Sequence, residues 1–187
     1  YDAAKAVVLP YLNSQSIRKL DALVVSHGDS DHSGGVERIL DELAVDELIV
    51  GGKYKPDARR ISANRITVSA CEAGYQKQFV SFVFKFLHPV HANSFNHSEN
   101  DASCVLQVLP GNEFAVDKKA EYDNRDALLL VPGDVSQKIE RQLVENYGDR
   151  IAADLLVASH HGSGSSSTLN WLYRVCLLYT SDAADDP

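Results

Sequence analysis

Short apolar runs alternate with amphipathic stretches along the chain, and this alternation predicts strands interleaved with helices. Five runs rich in leucine, valine and isoleucine have the length and composition of buried strands: residues 20–26, 48–50, 103–109, 127–131 and 153–159. Residues 79–87 alternate between two sets of side chains, which predicts a long strand with one apolar face. That face carries Val80, Phe82, Phe84 and Phe86.

Three further stretches place apolar residues on one side of a helix. They are residues 3–12, where Pro10 is tolerated only near the helix end, residues 33–43, and residues 135–147, which Gly148 closes. The stripes of the second and third stretches are Val36, Ile39, Leu40, Leu43 and Ile139, Leu143, Tyr147. Strands and helices in this order predict an α/β fold.

Three of the predicted strands run directly into residues that bind metals. Val25 leads to His27, Val131 leads to Asp134, and Val157 leads to His160. Strands hold such side chains rigidly at one edge of a sheet, while the loops bring them together. The sequence therefore predicts a metal-binding platform at this edge.

The loop after the first of these strands concentrates two imidazoles and two carboxylates in six positions: His27, Asp29, Asp31 and His32. Singly, each has an ordinary explanation as a turn former or a helix cap. Together they would carry an uncompensated free-energy cost of desolvation and would repel one another, unless a cation were bound between them. We therefore predict that this loop binds metal. A site rich in carboxylates favours manganese or magnesium over zinc.

Length and charge limit the classes of function that fit. The chain has 187 residues, 44% of them hydrophobic, which suits one globular domain. No apolar run reaches the ~18–20 residues that span a bilayer, and the amino terminus carries no secretory signal. With 18 basic against 26 acidic side chains the net charge is −8, so the chain is no general phosphate binder. Any role with nucleic acid must depend on a local site, on bound metal or on a partner region.

The three cysteines, Cys71, Cys104 and Cys176, match no paired metal-binding motif. Two interpretations stay open. They are unrelated buried thiols, or Cys71 and Cys104 form a bridge in an oxidising compartment.

Several motifs resemble a known family when they are taken in order. They are His27-Gly28-Asp29-Ser30-Asp31-His32-Ser33-Gly34-Gly35, Phe86-Leu87-His88-Pro89, Glu99-Asn100-Asp101-Ala102-Ser103, Val131-Pro132-Gly133-Asp134 and Ser159-His160-His161-Gly162-Ser163. The first resembles the HxHxDH signature of the metallo-β-lactamase superfamily, with Asp29 in place of the second histidine. That variant, with the other motifs, is similar to the carboxy-terminal domain of the ComEC family of DNA-internalization competence proteins. The resemblance implies an αββα sandwich.

The resemblance also implies a site for two divalent ions, manganese or zinc, with magnesium as a further candidate. His27 and Asp29 would hold one ion, Asp31 and His32 the other. Asp134 would bridge them, and His160 would complete the second set, with His161 as the fallback. The remaining candidates for supporting or fallback ligands are Asn100 and Ser103, where many members of the superfamily have a further histidine, and His88, while His91 and His97 are expected on a solvated loop.

By the same resemblance, the chain is expected to hydrolyse phosphodiesters, with metal-bound hydroxide as the nucleophile and Asp31 and Asp134 as the catalytic residues. The expected partners are single- or double-stranded DNA and an upstream transmembrane channel region of the same protein. The expected location is the extracytoplasmic, periplasmic face of the bacterial inner membrane. Two alternatives are a stand-alone hydrolase of a small phosphodiester or ester, and a non-catalytic interaction module.

Ser163 and Ser165 belong to a serine-rich loop that is interpreted either as a phosphate cradle or as a flexible turn. Residues 1–175 are expected to form the domain, truncated at both ends. Family members begin with a strand hairpin that this sequence lacks, so an exposed sheet edge is expected. Residues 176–187 do not continue the resemblance and are expected to be a foreign or disordered tail.

Overall fold

The computed structural model describes residues 2–90, 98–111 and 127–175. Within them the strands, in chain order, are Lys19–Leu20 (β1), Leu23–Val25 (β2), Ala44–Val45 (β3), Glu47–Val50 (β4), Thr67–Ala70 (β5), Gln76–Gln78 (β6), Phe82–His88 (β7), Val105–Pro110 (β8), Ala127–Val131 (β9) and Ala153–Leu156 (β10). Strands β2, β4 and β5 form a parallel sheet in the order β2-β4-β5. A mixed sheet has the order β10-β9-β8-β7-β6, and β1 pairs with β3.

The helices connect and cover these sheets. The α-helices are Leu9–Ser14 (α1), Ser30–Ser33 (α2), Val36–Glu42 (α3), Ala58–Asn64 (α4), Gln137–Tyr147 (α5) and Leu169–Val175 (α6). A π-helix, Ala4–Val8, precedes α1, and 3-10 turns span Asn100–Ala102, Gly148–Ile151 and Ser159–Gly162.

Three buried clusters define the layers of the fold. The cluster between the two larger sheets consists of Ile49, Cys71, Phe86, Cys104 and Leu106. A second cluster joins the β2-β4-β5 sheet to α1 and α3, and a third joins the five-stranded sheet to α5 and α6. In β4, Leu48 faces the helices and Ile49 faces the other sheet, and both side chains are fully buried. The α/β architecture and its αββα layering are confirmed.

Two predicted elements differ in how they are divided. The run 20–26 forms two strands, because Leu20 pairs with Val45 in one sheet while Leu23 pairs with Leu48 in another. The predicted helix 3–12 is a π-helical turn followed by α1, which continues to Ser14. The expectation that Pro10 lies near the end of this helix is wrong. Pro10 lies in the first turn of α1, a position at which helices tolerate proline.

The aromatic strand also departs from its prediction. It begins at Phe82 rather than at Phe79, and the side chain of Val80 is 74% exposed. Val83 and Leu87 pack towards the helices while Phe86 packs towards the other sheet. Phe84 packs with Phe86 on the same side, as the predicted alternation requires. The opposite face of the strand is apolar as well, because a strand in the middle of a sandwich is covered on both sides.

Other boundaries move by a few residues, and six of the strands and α-helices were not predicted. Helix α3 starts after Gly35, and α5 starts after Ser136, which takes the N-cap position. Strand β10 ends at Leu156, so residues 157–159 form the loop to the histidine pair. The six additional elements are α2, β3, α4, β5, β6 and α6.

Cys71 and Cys104 form a disulfide whose Cα atoms are 5.8 Å apart. Cys71 follows β5 and Cys104 precedes β8, so the bond joins the two larger sheets. Of the two interpretations left open by the sequence, the structure has the bridge. Cys176 and the rest of the segment 176–187 lie outside the described residues. In the part of the chain that is described, no helix has the length and apolar character that a bilayer span requires.

Candidate metal centre

The loop that follows β2 brings its polar side chains to the rim between the two sheets. His27, two residues after the strand, is fully buried. Asp29 has extended backbone angles and begins α2, and its carbonyl accepts the amides of His32 and Ser33 at 3.0 and 2.8 Å. The resulting helical turn presents Asp31 and His32 one after the other on the same side of the loop.

Four side chains from three separate segments meet at this rim: Asp31, His32, Asp134 and His161. One ligand atom from each lies within 4.8 Å of all the others. His32 Nε2 lies 3.2 Å from Asp134 Oδ1, and His161 Nε2 lies 3.4 Å from Asp31 Oδ2. Two imidazoles and two carboxylates at this spacing have the donor set and the proximity of a divalent-metal site.

His27 completes a second group that shares Asp134. Its Nε2 atom is buried, has no hydrogen-bond partner, and lies 3.5 Å from Asp29 Oδ2 and 4.0 Å from Asp134 Oδ2. A buried polar atom without a partner is costly, by about 1–3 kcal/mol. Both carboxylates are too far for a hydrogen bond, yet both face the same nitrogen. The residues present therefore fit a cation between them.

A tight turn fixes Asp134 in the middle of both groups. Gly133 has a left-handed φ of 61°, and a Cβ atom there would lie 2.8 Å from Ser103 Cβ. The Asp134 amide donates to Ser103 Oγ at 3.1 Å, and the Gly133 carbonyl accepts the His160 amide at 3.0 Å. The turn thus joins the loop after β9 to the segment before β8 and to the loop after β10.

The paired histidines after β10 have different surroundings. Both have left-handed backbone, with φ of 50° at His160 and 53° at His161. His161 belongs to the four-residue group, and its Nε2 lies 3.1 Å from that of His32. His160 lies outside that group, although its Nε2 is 3.8 Å from Asp134 Oδ2. For completing the group of Asp31 and His32, the geometry thus favours the fallback His161 over His160.

Serine hydroxyls hold the far side of three imidazoles. Ser26 Oγ lies 3.1 Å from His27 Nδ1 and 3.2 Å from His32 Nδ1. Ser103 Oγ lies 3.2 Å from His27 Nδ1, and Ser165 Oγ lies 3.2 Å from His160 Nδ1. A partner at Nδ1 fixes the ring orientation and leaves Nε2 to face the centre.

Burial lowers the pKa of the His27 imidazole, and the neighbouring His32 imidazole lowers it further, against the opposing effect of nearby carboxylates. His27 is therefore neutral at pH 7, the form in which imidazole binds metal. Desolvation raises the pKa of Asp31, but a hydrogen bond from its own backbone amide and the His32 and His161 imidazoles outweigh it. The pKa of Asp31 is thus below its ordinary value, and the side chain is a carboxylate.

The remaining candidates lie at increasing distance from the centre. Asn100 Nδ2 lies 3.4 Å from His160 Nε2, so its amide borders the site. Ser103 lies beneath His27 and Asp134. His88 lies away from the cluster, with its Nε2 2.8 Å from the Asp101 carbonyl oxygen. His91 and His97 lie outside the described residues.

The serine-rich loop supports His160 from behind. Ser163 Oγ lies 3.1 Å from Ser165 Oγ, which in turn contacts the His160 ring. Glu140, fully buried in α5, accepts the amides of Ser167 and Thr168 at 2.6 and 3.0 Å and so fixes the end of the loop. Phosphate binding by Ser163 and Ser165 stays a prediction.

Sequence reasoning missed two supporting residues, Ser26 and Glu99. Glu99 Oε1 accepts the amides of Gly28 at 2.6 Å and of Lys53 at 2.7 Å, which joins the loop after β2 to the loop after β4. Ser26 could have been found from its place between a buried strand and the first histidine. Glu99 begins one of the motifs that carry the resemblance, but its contact with Gly28 could not be predicted, because the two residues are 71 positions apart in the chain.

Comparisons with known proteins agree with this architecture. The family model described as the metallo-beta-lactamase superfamily matches residues 2–65. The chain is 36% identical over 177 residues to competence protein ComA of Neisseria gonorrhoeae, covering 95% of this chain and 22% of that protein. It is 30% identical over 172 residues to recombination protein 2 of Haemophilus influenzae, covering 92% of this chain and 18% of that protein.

A third relative is ComE operon protein 3 of Bacillus subtilis, which is 27% identical over 173 residues, covering 89% of this chain and 20% of that protein. The chain thus spans about a fifth of the length of these relatives. Sequence similarity covers nearly all of the chain, and the superfamily model covers the segment with the first metal-binding motif. The resemblance to the metallo-β-lactamase-like domain of the ComEC family of competence proteins, predicted from the motifs, is thus confirmed.

Proposed function

We propose that this domain is a metal-dependent phosphodiesterase that cleaves DNA as part of a ComEC-type DNA-uptake protein. The observation that carries the proposal is the convergence on Asp134 of imidazole nitrogens and carboxylates from three loops. The unpartnered, buried Nε2 of His27 supports it, because such an atom is expected at a site built for a cation.

The residues divide into two sets that share Asp134. His27 and Asp29 would hold one ion, and Asp31, His32 and His161 the other. His160 borders both sets through Asp134. Asp29 is a carboxylate where the superfamily signature has a histidine. The first set of ligands is therefore chemically harder, because an oxygen donor replaces a nitrogen donor. We therefore expect manganese to be preferred over zinc.

Two divalent ions bound by these residues would supply an activated water at neutral pH and would neutralise the charge of a phosphoryl group. Residues of the chain would accept the proton and hold the ligands in place. Asp31 is exposed, ionised and next to His161, so it can accept a proton at the open side of the centre. Ser26 and Ser103 hold the imidazole of His27, which keeps the buried side of the centre rigid.

The larger context extends the proposal. The printed names of two relatives, a competence protein and a recombination protein, support DNA as the substrate. We propose that the domain lies at the extracytoplasmic face of the bacterial inner membrane and is joined there to the transmembrane channel region of the same protein. Positive charge from bound metal would offset the acidic character of the chain, whose net charge is −8.

The test is cleavage of fluorescently labelled single-stranded DNA by purified protein with Mn²⁺, compared between the wild type and Asp134→Asn. We expect at least a hundredfold loss of rate in Asp134→Asn, because the carboxylate common to both sets loses its charge. Asp21→Asn is the matched control, since Asp21 is an exposed aspartate between β1 and β2. It should cleave as the wild type does.

Three results would contradict the proposal. Equal cleavage by Asp134→Asn and the wild type would mean that the activity arises elsewhere. A wild type that binds Mn²⁺ in metal analysis but cleaves neither DNA nor bis(4-nitrophenyl) phosphate would favour a non-catalytic module. Cleavage of the small phosphodiester alone would favour the stand-alone type of hydrolase.

A further inference from the structure

An open groove of about 490 Å³ is lined by Asp29 of the metal-binding loop together with Lys53 and Lys55. We propose that these two lysines bind the phosphates of the DNA strand that flank the cleaved one, and so set its path into the metal centre. The proposal rests on the proposed function and adds to it a substrate-binding surface on the loop after β4.

The loop that carries the lysines is fixed to the metal-binding loop. Glu99 accepts the amides of Gly28 and Lys53, one from each loop. Gly52 has a left-handed φ of 58°, and a Cβ atom there would lie 2.9 Å from His27 Cβ. The backbone of the lysine loop is therefore in close contact with the backbone beside His27. A ligand bound to one loop therefore has a fixed position relative to the other loop.

The loop turns both lysines outward. Tyr54, which lies between them, is partly buried and packs against the cluster beneath the β2-β4-β5 sheet. Lys53 and Lys55, on either side of it, are exposed. Alternation of this kind directs two side chains to the same side of an extended segment.

These lysines also differ from others in their pairing. Lys19 pairs with Asp46 and Lys77 pairs with Glu47. Neither Lys53 nor Lys55 forms an ion pair with another residue of the described ranges. Their charges are thus available to an anionic ligand, in a chain whose charge is otherwise strongly negative.

The groove has the dimensions and the position for a nucleotide unit. A volume of about 490 Å³ is within the range of small-ligand sites. Asp29 belongs both to the groove and to the first proposed metal set, so the groove opens directly onto the centre. Lysine binds phosphate as a point charge, without reading base identity. We therefore expect binding without sequence preference.

The test compares a Lys53→Gln/Lys55→Gln variant with the wild type, using a labelled single-stranded oligodeoxynucleotide with phosphorothioate linkages that resist cleavage. Fluorescence anisotropy should show about tenfold weaker binding for the variant. The slope of log K against log salt concentration should fall by about 1.4, because about 0.7 is lost for each phosphate contact. Lys138→Gln/Arg141→Gln on the exposed face of α5 changes the charge equally and should bind as the wild type does.

A second measurement separates this inference from the proposed function. Hydrolysis of bis(4-nitrophenyl) phosphate and the Mn²⁺ content should be unchanged in Lys53→Gln/Lys55→Gln, because the small substrate lacks the flanking phosphates that the lysines would bind. DNA binding equal to that of the α5 variant would overturn the inference. So would a wild type that does not bind the oligonucleotide, even if it hydrolyses the small substrate. Conversely, lysine-dependent binding without any hydrolysis would support the groove and contradict the phosphodiesterase.

Discussion

Asp134 has contacts with more of the proposed ligands than any other residue in the described part of the centre. Its carboxylate oxygens lie between 3.2 and 4.0 Å from ring nitrogens of His27, His32, His160 and His161. The side chain is nevertheless only 6% exposed. A single buried carboxylate surrounded by imidazoles is stable only when positive charge is shared among them, whether it comes from protons or from metal.

Among single residues, Ser26 offers a sharp test of how the imidazoles are held. Its hydroxyl contacts Nδ1 of both His27 and His32. We expect Ser26→Ala to weaken Mn²⁺ binding by about 10–100-fold, because both rings lose the group that orients them. Isothermal titration with Mn²⁺ measures this directly.

Ser62→Ala on the exposed side of α4 is the control for this substitution and should bind Mn²⁺ as the wild type does. The metal-free melting temperature of each variant shows whether the fold is intact. Unchanged Mn²⁺ affinity in a folded Ser26→Ala protein would mean that the hydroxyl does not position the ligands.

The sequence is informative about the individual site residues to different degrees. The loop from His27 to His32 is evident, since no ordinary explanation accounts for four such residues together. Spacing alone cannot distinguish His160 from His161, because adjacent residues differ mainly in the direction in which their side chains point. Here the direction depends on left-handed backbone at both positions. Contacts such as those of Glu99 arise from the folded chain and leave no local pattern.

At the level of elements, burial decides which ones could be predicted. Strand β9 has the predicted bounds, because its apolar run is covered on both sides. Strands β5 and β6 lie at sheet edges and are largely exposed, so their sequences lack an apolar pattern. Helix α4 has no fully buried residue, which leaves no helical stripe to detect. Hydrophobic periodicity reports contact with the core and is weak where that contact is slight.

Strand β4 supplies a charged link between the sheets. Glu47, nearly buried, accepts hydrogen bonds from Ser69, Tyr75 and Lys77, the last of which lies in β6 of the other sheet. Burial alone would raise the pKa of the Glu47 carboxyl, but these three hydrogen bonds outweigh it and hold the pKa below its ordinary value. The ionised form is therefore favoured in the folded protein.

This shift predicts a pH-dependent contribution to stability. A carboxyl whose pKa is lower in the folded state stabilises the protein above its unfolded pKa of about 4.5, and this contribution is lost as the pH falls through the folded value. We expect Glu47→Gln to reduce the free energy of unfolding by about 2–3 kcal/mol at pH 7. The difference from the wild type should shrink as the pH falls below about 4.5.

Urea unfolding of the metal-free protein over a range of pH measures this difference. Glu42→Gln, an exposed glutamate at the end of α3, is the control and should differ little from the wild type. A Glu47→Gln variant as stable as the control at pH 7 would contradict a role for the carboxylate in joining the sheets.

At the scale of the molecule, the Cys71–Cys104 disulfide connects the two larger sheets behind the metal centre. Cys104 follows Ser103, and its amide donates to the Ser26 carbonyl at 2.8 Å. The bond closes a loop of 33 residues between the sheets. Both sheets therefore meet at one covalent link, next to the serines that contact His27.

We expect Cys71→Ser to lower the free energy of unfolding by about 2–4 kcal/mol, since the unfolded chain regains the freedom of the open loop. Thermal unfolding in the presence and absence of dithiothreitol measures the effect. The reductant should bring the wild type to the level of Cys71→Ser and leave that variant unchanged. Cys176→Ser is the control, and a wild type insensitive to reductant would show that the bond does not stabilise the fold.

The proposed ligands come from both layers of the sandwich, since His27 follows β2 in one sheet and Asp134 and His161 follow β9 and β10 in the other. Metal coordination tolerates errors of about 0.2 Å, whereas a slip of one strand position moves a residue by about 3.3 Å. An ion bound at this rim would therefore report the alignment of the two layers. The spectrum of bound Mn²⁺ would therefore detect a change in the alignment of the two sheets, even a change that leaves each sheet intact.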